Sequence, residues 1–199
     1  MDVAKANRKR DAVRTKARIL AAAQEAFAEL GYARAGIREI AAMAGVNSAM
    51  LIRYFGSKAK LFEAALIDAI PMFEGMDLRH KGFGARLTQQ FMESSIDLRA
   101  QGMVILSTGD AEARTISARV MQERSVAALT AWLGPPNAKA RAARMLMLAT
   151  GFMLYTRQVQ IMSPELAQAT DTAGWLARSL QAIIDESESE PMRSADQEG

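Results

Sequence analysis

Apolar residues recur at helical spacing along most of the chain, and turn residues cut them into blocks. Ile19, Ala23, Phe27 and Leu30 share one face, and Gly31 follows where a helix needs a left-handed C-terminal residue. Ile37, Ile40, Ala41 and Ala44 define a second helix over 37–44, with Gly36 before it and Gly45 ending it. Val46 turns inward, and Asn47 caps a third helix of about two turns. Ser57 caps a fourth helix carrying Leu61, Phe62, Ala65, Leu66 and Ile70, which Pro71 stops. Ahead of these blocks, residues 1–14 lack an apolar stripe and read as a flexible basic arm feeding into the first helix.

Residues 71–84, with Pro71 and glycines at 75, 82 and 84, read as a linker. Leu87, Phe91, Ser95 and Leu98 then form a stripe over 85–100. Asp110 caps a helix over 111–133 that runs to the GPP at 134–136, and Asn137 caps another reaching about residue 160. Ser163 with Pro164 starts the last helix, which runs to about Ile184. Residues 186–199 are acidic, without core positions, and read as a disordered tail. Period-2 alternation between turns is nowhere found, so the expected class is all-α with about nine helices.

Composition narrows the functional classes. The chain has no cysteine, which excludes disulfides, thiolate metal sites and thiol catalysis. No apolar run has the length of a membrane span, and the first ten residues are polar and basic rather than secretory, so a cytoplasmic protein with no membrane partner is expected. Residues 1–60 carry twelve Lys/Arg against five Asp/Glu, a balance of +7, whereas 61–199 carry thirteen against seventeen, a balance of −4. A basic first third on a mildly acidic body suits contact with a polyanion at one end, or a solvated charged surface. The single histidine, His80, lies in the polar stretch LRHKGFG, where a solvated role is expected. With no nucleophile–base pair or phosphate loop, no enzyme, catalytic residue, metal or cofactor is expected.

Helix 37–44, the turn at Gly45 and Val46, and the helix from Ser48 make a helix-turn-helix, whose second helix enters a DNA major groove while the first crosses the backbone. Residues 18–66, RILAAAQEAFAELGYARAGIREIAAMAGVNSAMLIRYFGSKAKLFEAAL, resemble the N-terminal domain of TetR-family transcriptional regulators. The matching positions are Ala23, Phe27, Gly31 and Tyr32; Ile40, Ala41, Ala44, Gly45 and Val46; and Tyr54, Phe55, Ser57, Lys58 and Leu61. The resemblance implies a homodimer on a palindromic operator, with a larger C-terminal helical domain that binds a small molecule and dimerises through its last two long helices. The corresponding division is an arm at 1–14, a three-helix DNA-binding domain at 15–56, a connecting helix at 57–70, a regulatory and dimerisation domain at 71–185, and the tail.

Arg38, Ser48, Ala49, Met50, Ile52 and Arg53 match positions that face DNA in the family, Tyr54 and Lys58 match phosphate contacts, and the capping Asn47 joins the candidate set. Gly36 and Ile37 stand where threonines are usual, Ala49 and Met50 replace a glycine–threonine pair, and Ile52 replaces a frequent tyrosine. Anchoring is thereby expected to shift to Arg53, Arg38, Lys58 and the arm. The two arginines suit guanine edges or phosphates; Ala49, Met50 and Ile52 suit thymine methyls, and Met50 also suits its own domain's core. Arm residues Arg8, Lys9, Arg10, Arg14 and Lys16 suit a minor groove, phosphates, or no DNA role.

In the second half, Phe91, Met92, Ser95, Met103, Leu106, Met121, Met147, Thr150, Gly151, Leu154, Tyr155 and Gln158 are candidates for a mostly apolar effector pocket, although such stripes equally make ordinary core. Ala143, Gly151, Ala173, Leu176, Ala177 and Leu180 are candidates for a homodimer interface between the last long helices. The expected function is a DNA-binding repressor released by an apolar ligand. The alternative is a ligand-independent dimeric DNA-binding protein.

Overall fold

The computed structural model describes residues 3–70, 80–93 and 97–186, with side chains from Arg10 onward. No strand occurs among the described residues, and the all-α expectation holds. The helices are α1 (Val3–Arg34), α2 (Ile37–Met43), α3 (Ser48–Phe55), α4 (Lys58–Ala69), α5 (Phe83–Met92), α6 (Arg99–Ser107), α7 (Ala111–Met121), α8 (Ala127–Leu133), α9 (Ala138–Met153), α10 (Pro164–Ala169) and α11 (Thr172–Asp185). A π turn, Gln122–Val126, joins α7 to α8, and another, Leu154–Gln158, follows α9. None of these helices is long and apolar enough to cross a membrane.

The chain forms two compact units, Met1–Met72 with Asp97–Ser125 and Phe73–Ile96 with Val126–Gly199. In the first, α1 packs on α4 and α6, and α7 on α4. Phe27 meets Phe62 edge-on with centroids 5.1 Å apart, and Tyr32 meets Phe62 at 5.3 Å, in a core that also takes in Ile19, Ile40, Leu51 and Leu61. Gly31 has φ 74° and ψ 166°, a kink that glycine allows but not the left-handed helical residue expected there, and the helical run resumes to Arg34. Gly102 lets α6 approach α1: a Cβ there would meet Ala28 at 3.1 Å.

In the second unit α5 packs on α11, and α9 on both α8 and α11. Gly84 is why the first contact is close. A Cβ at Gly84 would lie 2.2 Å from the Ala177 carbonyl oxygen and 2.9 Å from the Gln181 nitrogen, so no side chain fits there. His80 is half-buried rather than solvated: its Nε2 is 3.3 Å from the Trp132 carbonyl oxygen, and its ring meets Trp132 edge-on at 4.9 Å. Its own carbonyl accepts a hydrogen bond from Gln181 Nε2 at 3.0 Å.

Several boundaries differ from the sequence reading. The first helix reaches back to Val3, through the segment expected as an irregular arm. The expected helix over 85–100 is two pieces, because α5 turns to extended backbone at Glu93 and α6 starts at Arg99. The expected last helix breaks between α10 and α11, where Asp171 has φ 56°. Asn137 precedes α9 in the left-handed region and makes no side-chain cap. Residues 97–125, grouped by sequence with the regulatory domain, fall in the first unit, where α6 packs on α1 and α4 and α7 on α4. Of the expected linker, residues 71–79 lie outside the described residues, as do Ser95 and 187–199 of the tail.

Candidate nucleic-acid interface

The helix-turn-helix is built by local rules. Ile40 and Ala41 anchor α2, the Val46 N–H donates to the Ala41 carbonyl at 2.9 Å, and Gly45 takes φ 63° in the turn. The Met50 N–H donates to Asn47 Oδ1 at 2.7 Å, which caps α3. Leu51 and Phe55, four apart on one face, bury against the first core. Gly56, at φ 84°, ends the helix, and the Lys60 N–H donates to Ser57 Oγ at 3.1 Å to start α4.

Burying Leu51 and Phe55 turns the other side of α3 outward. Ala49, Ile52 and Arg53 are exposed, with Ile52 keeping 40% of its surface in solvent, while Ser48, Met50 and Tyr54 are half-buried. Arg38 is exposed in the first turn of α2. Asn47 is exposed; its carboxamide oxygen accepts the cap bond, and its NH2 donors face outside partners without disturbing it.

Lys58 is more engaged than its sequence position suggests. Its ammonium donates to the Ala33 carbonyl at 3.3 Å and sits 4.7 Å from the centroid of the Tyr32 ring. Burial lowers its pKa, and the charges of Asp110 and Glu112 pull the other way. The Tyr32 hydroxyl donates to Glu112 Oε2 at 2.5 Å; burial first, and that hydrogen bond second, push the phenol well above its ordinary value. The start of α7 is thus bound to the end of α1 and set beside the start of α4. Arg119 adds an ion pair to Glu63 at 2.9 Å.

Two cations stand out that the sequence reading did not single out. The Arg18 Nη1 lies 3.8 Å from where a Cβ on Gly45 would sit, at the turn between α2 and α3. Lys60 is exposed, and its Cδ lies 3.5 Å from the Cβ position of Gly56, at the end of α3. Spacing from Gly45 and Gly56 was the available signal, but tertiary approach decided it for Arg18.

The effector candidates are not brought together. Met103 fills the core of the first unit, and Leu106 and Met121 also belong to that unit. Met147, Tyr155 and Gln158 face outward on the second, with Met147 71% exposed. Phe91, Met92, Thr150 and Leu154 remain as buried or half-buried positions of that unit. A shallow, open concavity of the second unit runs along Thr130, Gly134, Pro135, Lys139 and Ala143 instead.

The dimer candidates also divide. Ala173, Leu176 and Leu180 are buried within the second unit, and the Ala177 backbone packs on Gly84. Ala143 and Gly151 are half-buried, and a Cβ on Gly151 would meet nothing within 4 Å.

An exposed, locally capped α3 behind a glycine turn defines a helix-turn-helix fold on an all-helical body. The model of "Bacterial regulatory proteins, tetR family" matches residues 19–65, and that of "Tetracyclin repressor-like, C-terminal domain" matches residues 81–184. The chain therefore belongs to the TetR family and has the fold of its transcriptional regulators. Members of the family are DNA-binding regulators rather than enzymes, and they often bind small molecules and dimerise.

Solved structures share the fold at low identity. A Rhodococcus sp. protein assigned to the TetR family is 18% identical with a TM-score of 0.68, covering 86% of this chain and 99% of its own. NalD of Pseudomonas aeruginosa, the secondary repressor of the MexAB-OprM multidrug efflux pump, is 16% identical with a TM-score of 0.59, covering 89% and 96%. GusR of Salmonella enterica is 18% identical with a TM-score of 0.58, covering 86% and 94%. No curated protein sequence matches the chain.

Proposed function

We propose that this chain is a transcriptional repressor that binds a palindromic operator as a homodimer and is released by a small, largely apolar ligand held in its second unit. The observation that carries the DNA reading is the outward face of α3, where Ala49, Ile52 and Arg53 stand exposed while Leu51 and Phe55 fix the helix from behind. Arg53 and Arg38 supply the forked donors, Ile52 and Ala49 the apolar contacts, and Tyr54, Lys58 and Lys60 the phosphate contacts. The repressor sense is that of NalD, applied here as part of the proposal.

For the dimer, the proposed face is the outward stripe of α9 and the π turn after it, which keeps Gly151 of the expected set. Ala140, Arg144, Met147, Gly151 and Tyr155 recur at three- and four-residue spacing, opposite the buried Arg141, Met145 and Phe152. Arg141 bonds the Ile183 and Ile184 carbonyls and Arg144 bonds Glu186, so the start of α9 lies at the end of α11. The outward face of α11 adds Trp175, 50% exposed. Exposed Met147, Tyr155 and Trp175 with an open Gly151 suit a second copy of the same pair, a four-helix contact. Met147→Glu is expected to shift the protein from dimer to monomer at micromolar concentration in sedimentation runs; an unchanged dimer would place the contact elsewhere.

Two recognition helices in successive grooves must lie about 34–36 Å apart. An effector that favours any other separation weakens DNA binding, and DNA weakens effector binding by the same factor. Phe91, Met92, Thr150 and Leu154 are the positions proposed to meet it. Selecting duplexes from a random pool tests the function: an enriched palindrome released by apolar compounds is expected, and sequence-blind binding with no enrichment would overturn it.

A further inference from the structure

We propose that the N-terminal extension of α1 is a second DNA-contact surface, in which Arg10, Arg14 and Arg18 form one stripe that grips phosphates beside the half-site read by α3. This rests on the DNA-binding reading above. The core of the first unit begins at Ile19, yet α1 starts at Val3. The sixteen residues before Ile19 span about 24 Å of helix. They carry seven Lys/Arg against one Asp. No described residue from Arg10 to Arg18 is buried, and all three arginines are exposed.

Register and position select the partner. Arg10, Arg14 and Arg18 stand at i, i+4 and i+8, so they share a face and span about 12 Å along the axis. The stripe begins at the helix-turn-helix itself, where the Arg18 guanidinium lies beside Gly45. Duplex DNA presents a charge about every 1.7 Å of axis, and a guanidinium fork matches phosphate oxygens. Arginines here add affinity and salt dependence without sequence choice.

The test uses the full chain and an operator selected from a random duplex pool. The triple variant R10Q/R14Q/R18Q is compared with R10K/R14K/R18K and wild type over a salt series. Losing three phosphate contacts per protomer lowers the slope of log K against log salt by roughly 2.7 for each bound protomer. The expected result is that drop in the Gln variant, an unchanged sequence preference, a slope kept by the Lys variant, and helicity and melting like wild type in both. An unchanged slope in the Gln variant overturns the stripe and leaves the α3 reading intact; a wild type that selects no sequence fails the DNA reading itself. A Gln variant that loses sequence preference, or a Lys variant that also loses the slope, overturns the phosphate role. Capture of wild type, but not the Gln variant, by vesicles of one-third phosphatidylserine with no change in DNA slope assigns the stripe to a lipid surface and overturns it too.

Discussion

Replacing Arg141 by methionine is expected to destabilise the second unit by about 3–5 kcal/mol. Arg141 is completely buried. Its Nε donates to the Ile183 carbonyl at 2.9 Å and its Nη2 to the Ile184 carbonyl at 3.0 Å. Its Nη1 donates to the Gly134 and Pro136 carbonyls, each at 3.0 Å. Ile183 and Ile184 lie in the last turn of α11, at the negative end of its dipole. One guanidinium therefore closes the end of α11 and fixes the turn before α9. Methionine matches much of the volume but donates nothing, so four hydrogen bonds that tie α11 to the turn before α9 are lost together. Arg141→Lys restores the charge but not the planar fork, and is expected to recover only part of the loss. Thermal melting at one fixed protein concentration reads the result, because a dimer's melting point depends on concentration. A drop of roughly 10 °C is expected for the methionine variant. A melting point within 2 °C of wild type would mean that the carbonyls find water instead, and that Arg141 is not what holds these ends together.

Arg141 also marks the limit of what the sequence can tell. In AKARAARMLML it reads as one more solvated cation on a helix, because its four acceptors come from the preceding turn and from residues more than forty positions away. Elements fixed within a few residues were legible. Asn47, Ser57, Asp110 and Ser163 were read as caps, and each accepts a backbone N–H in the structure. The burial of Leu51 and Phe55 and the turn at Gly45 follow from the same short-range pattern. Choices between equally apolar surfaces were not legible. Along α11, Leu176 and Leu180 have the spacing of a dimer seam and also of a core, and the core is where they lie. Met147, by contrast, sat among pocket candidates and faces outward. Met103 shows the same limit between units: its apolarity is plain, but its burial beside Phe27 and Phe62 depends on α6 packing with α1. The helical backbone before Ile19 was missed because polar, charged residues supply no apolar period to read.

Arg53→Ala is expected to cost the dimer roughly 30-fold to 10⁴-fold in affinity for its selected operator at fixed salt. A well-placed bidentate contact to guanine contributes about 1–3 kcal/mol, and a dimer makes it twice. The position supports a contact of that kind. Arg53 follows exposed Ile52 on the outer side of α3, two residues beyond the buried Leu51 that fixes the helix. The kind of loss separates the two roles that an arginine can fill there. If Arg53 reads a base, the alanine variant accepts other base pairs at one position of each half-site, and its salt slope changes little. If it holds only a phosphate, affinity falls evenly over all sequences and the slope drops by about 0.9 per contact. Arg53→Lys sharpens the distinction, since an ammonium can hold a phosphate but does not reproduce the two-pronged guanine contact. Binding by wild type, Ala and Lys variants to the selected operator and to single-base variants measures all of this. Affinity unchanged in Arg53→Ala would leave Arg53 solvated, and the forked contact to DNA from this motif would then fall to Arg38 at the start of α2.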